Sequence, residues 1–162
     1  MLATGLGAQA TTTVLGPAVA GTPLPFGGFA TPGSFGDLFT FTLPANGGSG
    51  YSVVNFPFSI PTGNFNVIFS SMALFSNADG ILFNGDDTFL TSAVGAGPLA
   101  FSWGATVGGS MYLTVNGVAT GTNGGVYNGA ISVTAVPEPE TYAMMLAGLG
   151  ALGFLARRRN NG

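Results

Sequence analysis

The chain is 162 residues long and carries six acidic and three basic side chains, with no lysine, histidine or cysteine. That set excludes disulfides, thiolate metal sites and the Ser-His-Asp, Cys-His and Ser-Lys catalytic devices. All three cations are Arg157, Arg158 and Arg159, so residues 1–136 hold only Asp37, Asp79, Asp86 and Asp87 and cannot neutralise phosphates, which excludes nucleic-acid binding.

Taken from the beginning, Met1 to Ala10 ends in Ala8-Gln9-Ala10, the small-x-small pattern of a signal-peptidase site. A basic n-region is missing and the apolar stretch is short. The expectation is that residues 1–10 are the remnant of a secretory signal peptide whose start lies upstream, with Ala8 and Ala10 marking the cut. The alternative is a small-residue N-terminal strand.

Residues 11–135 alternate short apolar runs with Gly, Asn and Asp turns, and the chain is rich in glycine (28) and phenylalanine (14). Aromatic and β-branched residues at period two favour strands. The expected fold is all-β: an antiparallel, jelly-roll-like sandwich of eight or nine strands over 11–135, with no helix before residue 141. The runs are Phe35–Leu43, Tyr51–Ile60, Asn64–Phe75, Gly80–Phe83, Phe101–Val107, Met111–Val115 and Tyr127–Val133. In Asn64–Phe75 the apolar set changes parity, from Phe65, Val67 and Phe69 to Met72 and Leu74, which predicts a β-bulge near Ser70-Ser71. Asn116-Gly117 predicts a hairpin turn. Trp103 falls on a core face. Tyr112 lies opposite Met111 and Leu113 and is expected to be exposed.

Asp37 shares a strand face with Phe35, Phe39, Phe41 and Leu43. A carboxylate on a core face is costly unless its hydrogen bonds are satisfied. Asp37 is therefore expected to accept from backbone N–H groups at a bulge, with Gly36 supplying the geometry, and to be structural.

Asn77, Asp79, Asn84, Asp86 and Asp87 form the one acidic cluster. Loop oxygens suit Ca²⁺, so Asp79, Asp86 and Asp87 are weak calcium candidates. The spacing is not that of an EF-hand, and Asp79-Gly80 and Asn84-Gly85 are ordinary turn pairs. No other metal or cofactor is expected. A glycosidase needs two facing carboxylates about 5–10 Å apart. Asp86 and Asp87 are adjacent and point apart on a strand, while Asp37 with Asp79 or Asp86 stays open. No catalytic residue is assigned, and the chain is expected not to be an enzyme.

The tail, residues 136–162, reads Val136-Pro137-Glu138-Pro139-Glu140, an uncharged stretch over 141–156, and then Arg157-Arg158-Arg159. The prolines favour extended backbone and resist helix. The stretch predicts one apolar helix of about 24 Å, short against a hydrocarbon core of about 30 Å. The arginines act as a membrane stop signal and favour a cytoplasmic C-terminus.

The order Pro137-Glu138-Pro139, glycine-studded apolar stretch, Arg157-Arg158-Arg159 resembles the PEP-CTERM sorting signal. Phe35, Asp37 and Phe39 also resemble the motif of the FxDxF subgroup of such proteins. The resemblance implies export in a Gram-negative cell and recognition of Pro137-Glu138-Pro139 by the membrane transpeptidase exosortase. Before processing, residues 141–156 hold the chain in the inner membrane as a short transmembrane helix. Afterwards the protein is at the cell surface or extracellular, associated with biofilm matrix and with exopolysaccharide as candidate partner. A carbohydrate-binding module is the alternative, and a carboxylate-based glycosidase the remote one.

Overall fold

The computed structural model describes residues 9–45, 47–105, 108–135 and 139–160; for Ala105, Ala135, Pro139, 153–156 and 158–160 it describes the backbone alone. The expected bounds Ala8, Pro137 and Glu138 lie outside the described residues.

Eleven strands precede one helix. In order they are β1 (Thr12–Pro17), β2 (Leu24–Ala30), β3 (Gly33–Leu43), β4 (Gly47–Asn55), β5 (Phe58–Ile60), β6 (Gly63–Phe65), β7 (Val67–Ser76), β8 (Thr88–Val94), β9 (Leu99–Ala105), β10 (Gly109–Ala119) and β11 (Gly125–Ala135), followed by α1 (Pro139–Asn160). One sheet has the order β1-β3-β10-β7-β8, the other β2-β11-β4-β9, and β5-β6 is a separate ribbon. With β1 and the ribbon set aside, eight long strands remain. One sheet then takes the second, seventh, fourth and fifth of them, the other the first, eighth, third and sixth. That interleaving is a jelly roll, two sheets wound from nested antiparallel pairs.

β1 is the exception in direction. It runs parallel to β3, with Thr12 opposite Leu38 and Thr13 opposite Phe39, and its own bulge falls between Val14 and Gly16.

The alternation seen in the sequence fills the core. Phe35, Phe39, Phe41 and Leu43 of β3 share one buried core with Tyr127, Ile131 and Val133 of β11. Each large side chain removed from water stabilises by roughly 1.5–3 kcal/mol relative to leaving it exposed. The expected bulge is present: β10 residues Asn116 and Gly117 pair with Ser71 and Phe69, leaving Ser70 as the extra residue. That extra residue lets Val67 and Phe69 share the core with Met72 and Leu74, all four buried.

Three local expectations are corrected. Asn116-Gly117 is not a hairpin turn; it lies inside β10, and the chain reverses at Thr120–Gly124. Gly117 is there because a Cβ would meet the Ile68 carbonyl at 2.6 Å and the Phe35 ring at 2.9 Å. Gly80–Phe83 is part of the β7–β8 loop rather than a strand. The run Tyr51–Ile60 is divided between β4 and β5, and Asn64–Phe75 between β6 and β7; with β1, β2 and β8, which lie outside the expected runs, the count reaches eleven.

Candidate functional site

The tail helix comes after the last strand of the sandwich. β11 ends at Ala135 and α1 begins at Pro139, where a missing N–H costs a helix nothing. Glu140 sits in the first turn and Arg157 near the last, each at the helix end whose dipole favours it. Between them Tyr142, Met144, Met145, Leu146, Leu149 and Leu152 are all exposed. An amphipathic core helix would bury one stripe; α1 presents apolar side chains to solvent on every described side.

The expectation of a transmembrane helix over 141–156 is corrected. Among the described residues no helix is long and apolar enough to cross a membrane. The physical reason is the position of the charges: Glu140 and Arg157 close the apolar stretch at a length of about 24 Å, shorter than the bilayer's hydrocarbon layer.

Phe35, Asp37 and Phe39 are three successive inward residues of β3. Two of them hold Tyr127: Phe35 stacks on its ring at 5.4 Å, and Asp37, 2% exposed, accepts a hydrogen bond from its hydroxyl at Oδ2. Phe39 lies against Phe26 at 4.9 Å. Asp37 Oδ1 accepts from the Thr11 backbone N–H at 3.2 Å and from Thr11 Oγ1 at 2.5 Å. Burial, then the hydrogen bond to Asp37, pushes the Tyr127 hydroxyl well above its ordinary range, so it stays a donor.

The expected bulge at Gly36 is absent. Gly36 and Asp37 pair in unbroken register with Asn116 and Val115. One backbone N–H and two hydroxyls satisfy the carboxylate instead. A Cβ on Gly28 would stand 3.0 Å from the Tyr127 hydroxyl and 3.1 Å from Asp37 Oδ2, so glycine there leaves the pair its space.

The N-terminal segment is fastened beside this carboxylate. Gln9 N–H donates to the Ser34 carbonyl, Gly36 N–H to the Gln9 carbonyl and Leu38 N–H to the Thr11 carbonyl. Ala10, the second residue of the expected signal-peptidase site, is exposed between Gln9 and Thr11.

The acidic cluster forms turns. Asp79 accepts from Ile81 N–H and Asn84 Nδ2, each at 2.8 Å. Asp87 Oδ2 accepts from Asn84 N–H and the Tyr112 hydroxyl, each at 3.2 Å, and Asp86 is exposed. Among the described residues no three carboxylates gather where they could hold a metal ion.

The loop carrying this cluster, residues 77–87, folds over the outer face of the five-stranded sheet. It covers Tyr112, which is 2% exposed rather than the exposed platform its strand position suggests. Phe75 stacks on Tyr112 at 4.8 Å and Phe83 meets it edge-on at 5.6 Å. Burial, then the nearby Asp87 charge, pushes the Tyr112 hydroxyl up to about 12. Tyr51 is also buried, and Trp103 is half-buried against the core. Between the loop and β1 runs a neutral groove of about 360 Å³, lined by Thr12, Val14, Thr40, Thr42, Asn77 and Leu82.

The model of the PEP-CTERM protein-sorting motif matches residues 135–159. No curated protein matches the chain. Among solved structures, the chain is similar to the surface-associated copper-binding protein CorA of Methylomicrobium album BG8, with 9% identity over 75% of this chain and 99% of that one and a TM-score of 0.46. It is also similar to the periplasmic g-type lysozyme inhibitor PliG of Aeromonas hydrophila, with 14% identity over 77% and 99% and a TM-score of 0.41. A third likeness is to the pre-peptidase C-terminal domain of Bacillus anthracis collagenase, with 17% identity over 76% and 94% and a TM-score of 0.34. Likenesses this distant carry no inference about function.

Proposed function

We propose that this is an exported, non-catalytic β-sandwich of the cell surface or extracellular matrix, delivered there by exosortase processing of its tail. The observation that carries the reading is the sorting motif at residues 135–159. Its Arg157-Arg158-Arg159 end holds every basic side chain of the protein, a cluster suited to the anionic surface of a membrane. Docking of α1 at the membrane through its exposed apolar side chains belongs to the same reading, as does assignment to the FxDxF subgroup through Phe35, Asp37 and Phe39.

A non-catalytic role fits the side chains available. With no histidine, cysteine or lysine, the side chains left for proton transfer are carboxylates and tyrosine hydroxyls, and Tyr51, Tyr112 and Tyr127 are buried. Asp37 has both oxygens engaged inside the sandwich, Asp79 is engaged in its own turn, and Asp87 is held through Oδ2 by Asn84 and Tyr112, with its Oδ1 buried and unpartnered among the described residues. The carbohydrate-binding alternative needs aromatic rings facing solvent, and Tyr51 and Tyr112 are buried. Exopolysaccharide as the matrix partner rests on the sorting motif.

The test is the mass and location of the protein in its native host, with and without replacement of Pro137-Glu138-Pro139 by three alanines. The expected result is a surface or medium form lacking the tail, and a variant that stays full-length in the inner membrane. A wild-type protein that keeps its arginine end at its final location overturns the sorting reading.

A further inference from the structure

We propose that hydrolysis of the Ala10–Thr11 peptide bond during export makes Thr11 the first residue of the mature protein, and that its α-ammonium group, at the surface, forms an ion pair with the buried Asp37 carboxylate. The inference rests on the export reading, and three independent observations carry it.

The first is sequence: Ala8-Gln9-Ala10 places small residues at the two positions that a signal peptidase reads, with Thr11 immediately after the cut. The second is geometry. Thr11 nitrogen lies 3.2 Å from Asp37 Oδ1, and among the described residues Asp37 is the one charged side chain that is buried. The third is charge. Residues 11–136 contain no lysine, arginine or histidine. Once the tail is removed, the α-ammonium of the mature chain is the sole cation the protein has. A buried carboxylate is costly without a partner of opposite charge or a full set of donors. The structure sets the nitrogen that cleavage would charge beside the carboxylate that lacks a counter-ion.

The chemistry balances with water alone. Water adds to the Ala10 carbonyl carbon, the C–N bond breaks and Thr11 nitrogen takes a proton. At neutral pH the products are the Ala10 carboxylate and the Thr11 ammonium. The cut precedes folding, when the segment is extended during translocation. Thr11 keeps its place afterwards, because its carbonyl still accepts from Leu38 N–H at 2.8 Å and its hydroxyl still reaches Asp37. The contacts surrendered are those of Gln9 with Ser34, Gly36 and Thr31. Ser34 and Thr31 are exposed and Gly36 is half-buried, so water can replace them.

The absence of lysine makes the test clean: in a chain starting at Thr11 the α-amine is the only primary amine. That chain, running to Gly162 and freed from a fusion without extra residues, is compared with the same chain acetylated at Thr11. Acetylation keeps the N–H donor and removes the charge. The free-amine form is expected to melt about 5 °C or more above the acetylated form. Its amine should react with an amine-selective ester about tenfold or more slower in buffer than in urea. Asp37→Asn should abolish the difference in melting. Should that variant not fold, the free and acetylated wild-type chains decide alone. Equal melting of the two forms, or equal labelling in buffer and urea, overturns the ion pair.

Terminal mass analysis of the exported protein from its host tests the cut, and Thr11 is the first residue expected. An exported protein that begins elsewhere overturns this inference and leaves the export reading intact. An uncut protein retained inside the cell overturns both.

Discussion

Asp37 is held from two sides of the sandwich, by Thr11 on its own sheet's edge and by Tyr127 from the opposite sheet. Tyr127→Phe keeps the ring that stacks on Phe35 and removes only the hydroxyl, leaving Oδ2 buried without a donor. The expected loss is about 1–3 kcal/mol, read from urea denaturation at neutral pH. A variant as stable as wild type would mean that water reaches the carboxylate. Phe35, Asp37 and Phe39 were legible as one inward face because strand alternation is local. Their partners were not. Tyr127 is 90 residues away along the chain, and no feature of the local sequence around Gly28 says that a hydroxyl and a carboxylate meet above it.

The loop of residues 77–87 shows the same limit for a whole element. Alternation placed Tyr112 on the outer side of β10, which is correct for the strand. Its burial depends on a loop some 25 residues earlier in the chain closing over it, with Asp87 bonding its hydroxyl. Phe83 makes that closure at φ 61°, a left-handed conformation that a bulky residue adopts only under constraint. Two substitutions separate the ring contact from the backbone strain. Phe83→Ala loses the edge-on contact with Tyr112 and keeps the strain; Phe83→Gly loses the contact and relieves it. The glycine variant is therefore expected to be the more stable by about 1 kcal/mol in urea denaturation. The reverse order would mean the loop relaxes to negative φ once the ring is gone. The Ser70 bulge, by contrast, was legible. Side chains alternate strictly along a regular strand, so keeping both halves of one apolar run in the core requires an extra residue where the parity changes.

For the molecule as a whole, the all-β sandwich followed from alternation, while β1, β2 and β8 fell in none of the expected runs, because β1 and β8 are largely exposed and β2 is broken by two glycines, which leaves their alternation faint. The buried tyrosines set the alkaline limit of the fold. Burial pushes Tyr51 and Tyr112 up to about 12 from an ordinary 10.0, and Tyr127 further in the same direction. In the unfolded chain these hydroxyls ionise near pH 10, whereas in the folded one they stay protonated. The stability they hold is fully present below pH 10 and is lost as pH rises toward 12, by up to about 1.4 kcal/mol per pH unit for each tyrosine. The urea midpoint is expected to fall steeply between pH 10 and 12; a midpoint flat across that window would mean the tyrosines ionise in the native state. The junction between Ala135 and Pro139 has a mechanical meaning of its own. Four backbone steps reach at most about 14 Å, so a precursor with its helix at a membrane has no stalk. Under the proposed function such a precursor would keep the sandwich close to the bilayer surface, and an enzyme acting at Glu138 would work in a gap narrower than the domain it releases. Cutting and folding would then compete for the same few ångströms, and release would be fastest from chains whose last strand has not yet docked.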